Sequence, residues 1–198
     1  MSHVLYRGAG GTVTLPDLRT IMIDRRDGGQ LVVHPARRVW DRTALDAAEL
    51  TQWNFLVAAT ATAMLDTLPQ LHGGCVNYWD AGNWALNPDA PPAGPKSGPE
   101  HRVLHQHLIG RSRQSADASW AWGEAPFYPA FKDRFAWSHG KAPLTAAECG
   151  VLALRLAQAL VDGYGVASAA PSAACAQCGY PTPAEDVDSS GRCPECAP

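Results

Sequence analysis

The chain has 198 residues, 46% of them hydrophobic and 18% charged, with a formal net charge of -3. That balance supports one full-sized core plus a small appendage, and it lacks the basic field that nucleic acid binding requires. No apolar run approaches a membrane span, and residues 1–8 lack the apolar centre of a signal peptide, so a cytoplasmic protein without a membrane partner is expected.

Taken in chain order, residues 11–15 and 20–24 read as strands. Asp27-Gly28, within the turn at 25–30, is a hairpin signal, and residues 31–35 resume a strand. Thr43 followed by Asp46 resembles a capping box that opens a helix to about Leu68. Leu45, Trp53, Leu56, Val57, Thr60 and Met64 fall on one face of that helix. Residues 73–79 read as a strand leading into a loop over 77–99 that is rich in Asn, Gly and Pro. The strand over 103–109 carries His105-Gln106-His107. Side chains alternate along a strand, so the two imidazoles share a face, one able to attack and the other to bind or protonate. Residues 114–143 have no clear period, although Trp120, Trp122, Phe127 and Tyr128 could shape a pocket there. Thr145 and Glu148 form a better capping box, and the helix they start runs through Val161, with Gly163 able to end it.

The cysteines divide the chain. Cys175, Cys178, Cys193 and Cys196 form two Cys-x-x-Cys pairs separated by fourteen residues, while Cys75 and Cys149 stand alone and read as buried small apolar residues. The paired spacing is that of a tetrathiolate Zn2+ site, with two disulfides or a redox pair as the competing readings. A segment this short and polar would draw its folding energy from the metal. Domains are therefore expected at 1–165 and 175–198, the second a small structural zinc ribbon, joined by a linker over 166–174. Glu185, Asp186, Asp188 and Glu195 face Arg192 alone in that module, which favours stabilisation or protein contact over nucleic acid.

Four segments together resemble the histidine-triad (HIT) superfamily. Residues 29–39 look like its strand ending in a proline and basic pair, and residues 44–50 like the start of its long helix. Residues 77–87 look like the segment that meets ribose and phosphate, and residues 105–111 like the second half of its His-φ-His-φ-His-φ-φ signature. The resemblance spans residues 18–113. Val103 stands at the first histidine of the signature, Gln106 at an apolar position, and His101 out of register. Branches of the superfamily that keep only a His-x-His pair follow it with a glutamine, where this chain has Leu108-Ile109.

The resemblance implies an α+β fold with an antiparallel sheet flanked by helices, in a family whose members are often homodimers. It also implies hydrolysis or nucleotidyl transfer at the α-phosphate of a nucleoside-phosphate conjugate. His105 would be the nucleophile and His107 its phosphate-binding partner; imidazole is largely neutral and nucleophilic near pH 7. Position in sequence adds Asn83 and Asn87 as ribose or phosphate ligands, Ser97 as a leaving-group assistant, and Arg111 and the amides of 94–98 as phosphate donors. Two rival readings stand beside this one. One is a non-catalytic nucleotide-binding or adaptor protein. The other is a metalloenzyme in which His101, His72 or His139 joins the pair as third ligand. His34 and His139 read as surface or hydrogen-bonded structural histidines.

Overall fold

A computed structural model describes residues 3–167 and 172–197, so part of the expected linker, residues 168–171, lies outside the described residues. Five strands form one antiparallel sheet in the order β1-β2-β3-β5-β4: β1 (Val4–Gly8), β2 (Gly11–Thr14), β3 (Gln30–His34), β4 (Cys75–Ala81) and β5 (His105–Arg111). Two long helices, α1 (Ala47–Thr67) and α4 (Ala146–Tyr164), pack on each other and on one face of the sheet. The short helices α2 (Gly98–His101) and α3 (Arg134–Ser138) lie between them in sequence. The expected α+β class, with an antiparallel sheet flanked by helices, is what the chain adopts. Among the described residues, no helix is long and apolar enough to cross a membrane.

Alternation along the strands creates two unlike faces. Leu31, Val33, Val76 and Leu108 enter the main core, where they meet Trp53, Leu56, Met64, Leu152 and Leu156 of the two helices. The opposite face carries Gln30, His34, Trp79, His105, His107 and Ile109, in register across β3, β5 and β4. A second, smaller cluster of Met22, Ile23, Ile109 and Trp120 covers part of that face, with Trp79, Trp84, Tyr128 and Trp137 packed against it. The unperiodic segment is thus the wall opposite the histidines.

Several local expectations shift. Residues 20–24 are not a strand: Thr20 ends a 3-10 turn at Leu18–Thr20, and residues 21–24 connect it to a second at Arg25–Asp27. Their backbone groups are taken by side chains: Met22 N–H donates to Gln30 Oε1, Ser138 Oγ donates to Ile21 O, and Trp137 Nε1 donates to Met22 O. The hairpin expected at Asp27-Gly28 is absent for the same reason. Gly28, at φ 145, is instead where the chain crosses β5: a Cβ there would sit 2.2 Å from Gly110 O.

The α1 capping box is Asp46 with Glu49 rather than Thr43 with Asp46, because Asp41 already caps the preceding 3-10 turn through Thr43 N–H. The Thr145–Glu148 box forms as expected, but α4 ends at Gly165, at φ 63, rather than at Gly163. β1 has no counterpart in the sequence reading, and β5 begins at His105 rather than 103 because Leu104 N–H is taken by Val39 O.

The cysteine module carries two short paired strands, β6 (Ala173–Ala174) and β7 (Pro181–Thr182). It packs against the N-terminal strand and α4. Tyr180 stacks on His3 at 4.5 Å and donates to Leu144 O, Ser172 Oγ donates to Leu5 O, and Arg7 pairs with Asp186 at 2.7 Å.

Candidate functional site

His105 and His107 share a face of β5, as alternation requires, with ring centroids 5.0 Å apart and planes at 72°. Register adds a third histidine. Val32 lies opposite His107 and Val33 opposite Gln106, which brings His34 beside His105, with centroids 5.5 Å apart. Gln106 faces the other way and donates to Asp80 Oδ1.

The hydrogen bonds assign the two tautomers. His105 Nδ1 lies 2.8 Å from Val103 O, and a carbonyl can only accept, so Nδ1 carries the proton and Nε2 keeps its lone pair. His107 has the opposite arrangement. Met22 N–H donates to Gln30 Oε1 at 2.8 Å, which turns the Gln30 amide nitrogen toward His107 Nδ1 at 2.6 Å. That nitrogen donates, Nδ1 accepts, and the His107 proton sits on Nε2.

Burial keeps all three rings neutral. His107 is pushed down to about 3, by burial first and then by His105 and His34. His34 falls to about 4, by burial and then by His105. His105 is lowered chiefly by burial, which outweighs the raising effect of its bond to Val103 O. The site therefore presents a neutral base or nucleophile beside a neutral donor.

Both rings open onto a cavity of about 380 Å³, whose walls include Trp79, Trp84, Tyr128 and Asn83. Trp79 stacks on His107 at 5.4 Å and packs on Tyr128 at 4.1 Å, and Tyr128 meets Trp120 edge-on at 5.5 Å. A concave aromatic site of this size, with a few polar groups at one end, suits a small planar ligand.

The other expected site residues scatter. Asn83 reaches the cavity. Asn87 caps a turn through Asp89 N–H, and its carbonyl accepts from Lys96. Ser97 is exposed and donates to Glu100. Arg111, 5% exposed, clamps the carbonyls of Ala121 and Glu124 and so tethers the aromatic wall. The 94–98 amides do not line the cavity.

Gln30 and Trp79 carry no signal in the sequence, and His34, expected to be a surface or hydrogen-bonded structural histidine, is instead packed beside His105 in the cluster. Gln30 and His34, four apart on a strand, share a face by alternation, but their place opposite the pair follows only from the pairing of β3 with β5. Tyr128 was recognisable as an aromatic and acquires a place only in three dimensions.

Cys175, Cys178, Cys193 and Cys196 gather as expected, with all four sulfurs within 4.8 Å of one another and none in a disulfide; of the two lone cysteines, Cys149 is buried as expected, but Cys75 is exposed because it opens the edge strand β4. Cys178 and Cys193 Sγ are 3.7 Å apart, close to the ~3.8 Å that bonds of about 2.3 Å impose in a tetrahedral tetrathiolate. Backbone N–H groups, that of Cys178 first, hold the Cys175 thiol down to about 5, whereas burial pushes the Cys178 and Cys196 thiols up, so one thiolate is prepared by the fold and those two need a cation among them. The four residues therefore fit a chelated metal ion. Among the described residues, no other group of three or more His, Cys, Asp or Glu side chains could hold one, which leaves the His105–His107 pair without a third protein ligand. No protein-family model matches the chain, and no curated protein matches it.

Proposed function

We propose that the histidine cavity performs nucleotidyl transfer or hydrolysis at the α-phosphate of a nucleoside-phosphate conjugate, as the resemblance to the histidine-triad superfamily implies. The observation that carries this reading is the opposed tautomers of the pair. His105 offers a lone pair on Nε2, and His107 offers a proton on Nε2.

In this reading His105 Nε2 attacks the α-phosphorus, and the bond to the leaving group breaks with its electron pair. Positive charge develops on the His105 ring, whose Nδ1–H already points at Val103 O. The His107 Nε2–H donates to a non-bridging oxygen, where negative charge is concentrated in the transition state. Water, or a second phosphate or alcohol, then takes the nucleotidyl group from His105. Trp79, Trp84 and Tyr128 would hold the base by stacking.

The four-cysteine module would hold Zn2+ as a structural ion, since four thiolates leave no open position for substrate. Its role would be structural, fixing the packing of Tyr180 on Leu144 and His3, none of which lines the histidine cavity.

The test is product formation from dinucleoside polyphosphates, nucleotide sugars and nucleoside phosphoramidates, with wild type compared to His105→Ala. Release of a nucleoside monophosphate that vanishes in the variant supports the reading. Tight nucleotide binding with no turnover of any conjugate would instead make the protein a binding module.

A further inference from the structure

A second groove, of about 370 Å³, shares a wall with the histidine cavity; its lining includes Arg37, Arg38, Trp40, Glu100 and Arg102. The shared wall is Arg102 packed on Gly82, a residue that itself lines the cavity. Gly82 has φ +128, and a Cβ there would meet Arg102 Cγ at 2.7 Å and Nε at 2.9 Å, so only glycine lets the guanidinium lie this close.

Asp41 holds the guanidinium in place, accepting from Arg102 Nη1 at 2.6 Å. Arg102 Nε is buried with no partner. The Arg102 charge also acts on His105, although burial is the larger cause of that ring's lowered pKa.

The other two arginines differ. Arg37 is committed to Glu49, with both bonds at 2.7 Å, and to Ala44 O. Arg38 is exposed and makes no hydrogen bond or ion pair among the described residues. The ring of Trp40, 37% exposed, lies against Gly98 and leaves an aromatic face on the same groove. Among the described residues, no lysine or arginine lines the histidine cavity itself, so a multiply charged ligand would have to find its counter-charge next door.

We infer that this groove is the leaving-group subsite of the histidine cavity and takes a phosphate-bearing leaving group, with Arg102 and Arg38 as its cationic contacts. The inference rests on the nucleotidyl-transfer reading above. When His105 Nε2 bonds to the α-phosphorus, the departing oxygen keeps the electron pair of the broken P–O bond. The leaving group gains one negative charge in that step. Arginine matches phosphate oxygens through paired N–H donors; Arg38 keeps all of its donors open to the groove among the described residues, and Arg102, held by Asp41, fixes a second guanidinium at the wall between the two spaces. A neutral amine or alcohol leaving group would leave Arg38 without an acceptor and Arg102 with Asp41 alone.

The experiment compares nucleoside 5′-triphosphates with nucleoside 5′-phosphoramidates of the same bases, read as the ratio of kcat/KM between the two leaving groups. Inorganic tripolyphosphate binding is measured by calorimetry in parallel. Arg38→Gln and Arg102→Gln are each expected to lower the ratio, and to weaken tripolyphosphate binding, by roughly tenfold or more. The exposed Arg113→Gln is the control for general surface charge. Because Arg102 is pinned to Asp41, the exposed Arg38 variant keeps the test valid if Arg102→Gln misfolds. Turnover of both conjugates with a ratio unchanged in both variants overturns the subsite and leaves nucleotidyl transfer intact. Absence of turnover of either conjugate in wild type overturns the transfer reading, and the leaving-group role with it, whatever tripolyphosphate does.

Discussion

Gln30 and His107 sit on paired strands and share one hydrogen bond of 2.6 Å, in which the amide nitrogen donates to Nδ1. Because Met22 N–H fixes the other end of that amide, a single glutamine sets which nitrogen of His107 carries the proton. Gln30→Glu reverses the arrangement: a carboxylate accepts, so Nδ1 becomes the protonated nitrogen and Nε2 loses its hydrogen. Loss of the donor is expected to cut kcat on the order of tenfold or more. Nitrogen-15 shifts of His107 should report the exchanged tautomer, which a merely destabilised fold would not produce.

The neutral histidine cluster makes stability depend on pH. Unfolded histidines titrate near 6.5, whereas His34 is held at about 4 and His107 at about 3. Between about 6.5 and 4 the unfolded chain binds protons that the folded chain refuses. Stability is therefore full above about pH 6.5 and falls as the pH drops, by up to ~1.4 kcal/mol per pH unit for each such group. Urea midpoints at pH 7.5 and 5.0 should fall further for wild type than for His34→Gln. Acid effects on the cysteine module are common to both proteins and cancel in that comparison.

Arg111 ties the aromatic wall to the sheet through two carbonyls, those of Ala121 and Glu124. Arg111→Met keeps most of the buried volume and removes both donors. The expected loss is about 2–4 kcal/mol, visible in the urea midpoint. Limited proteolysis should show faster cleavage within residues 121–130, because the tether rather than a regular element holds that segment.

Removal of the chelated metal should loosen the face formed by His3, Tyr180 and Leu144. Metal analysis is expected to find one ion per chain in wild type and none in Cys193→Ser. A loss of ~3–5 kcal/mol would lower Tm by about 10 °C. An unchanged Tm in the metal-free variant would mean that the module contributes nothing to the stability of the rest of the fold.

What was legible in the sequence was local. Alternation placed His105 and His107 on one face, the capping residues marked α4, and two short cysteine spacings marked the chelating cluster. What was not legible depends on partners distant in the chain. Thr20, Ile21 and Ile23 look like a strand, yet the backbone of this stretch is satisfied by Gln30, Trp137 and Ser138. His34 and Gln30 acquire their place only from the β3–β5 register. Residues 114–137 show no period because single side chains anchor them, Arg111 from the sheet and Asp27 through Ala116 N–H.

The central claim is that His105 is a nucleophile, and intact-protein mass spectrometry of a reaction quenched rapidly without acid tests it most directly. Wild type mixed with a nucleoside phosphoramidate or polyphosphate should gain the mass of one nucleotidyl group, mapped by peptide analysis to His105. The adduct should be absent from His105→Ala and form more slowly in Gln30→Glu, which lacks the His107 donor. Turnover of the same substrate with no adduct at any time point, or with turnover retained in His105→Ala, would contradict the account.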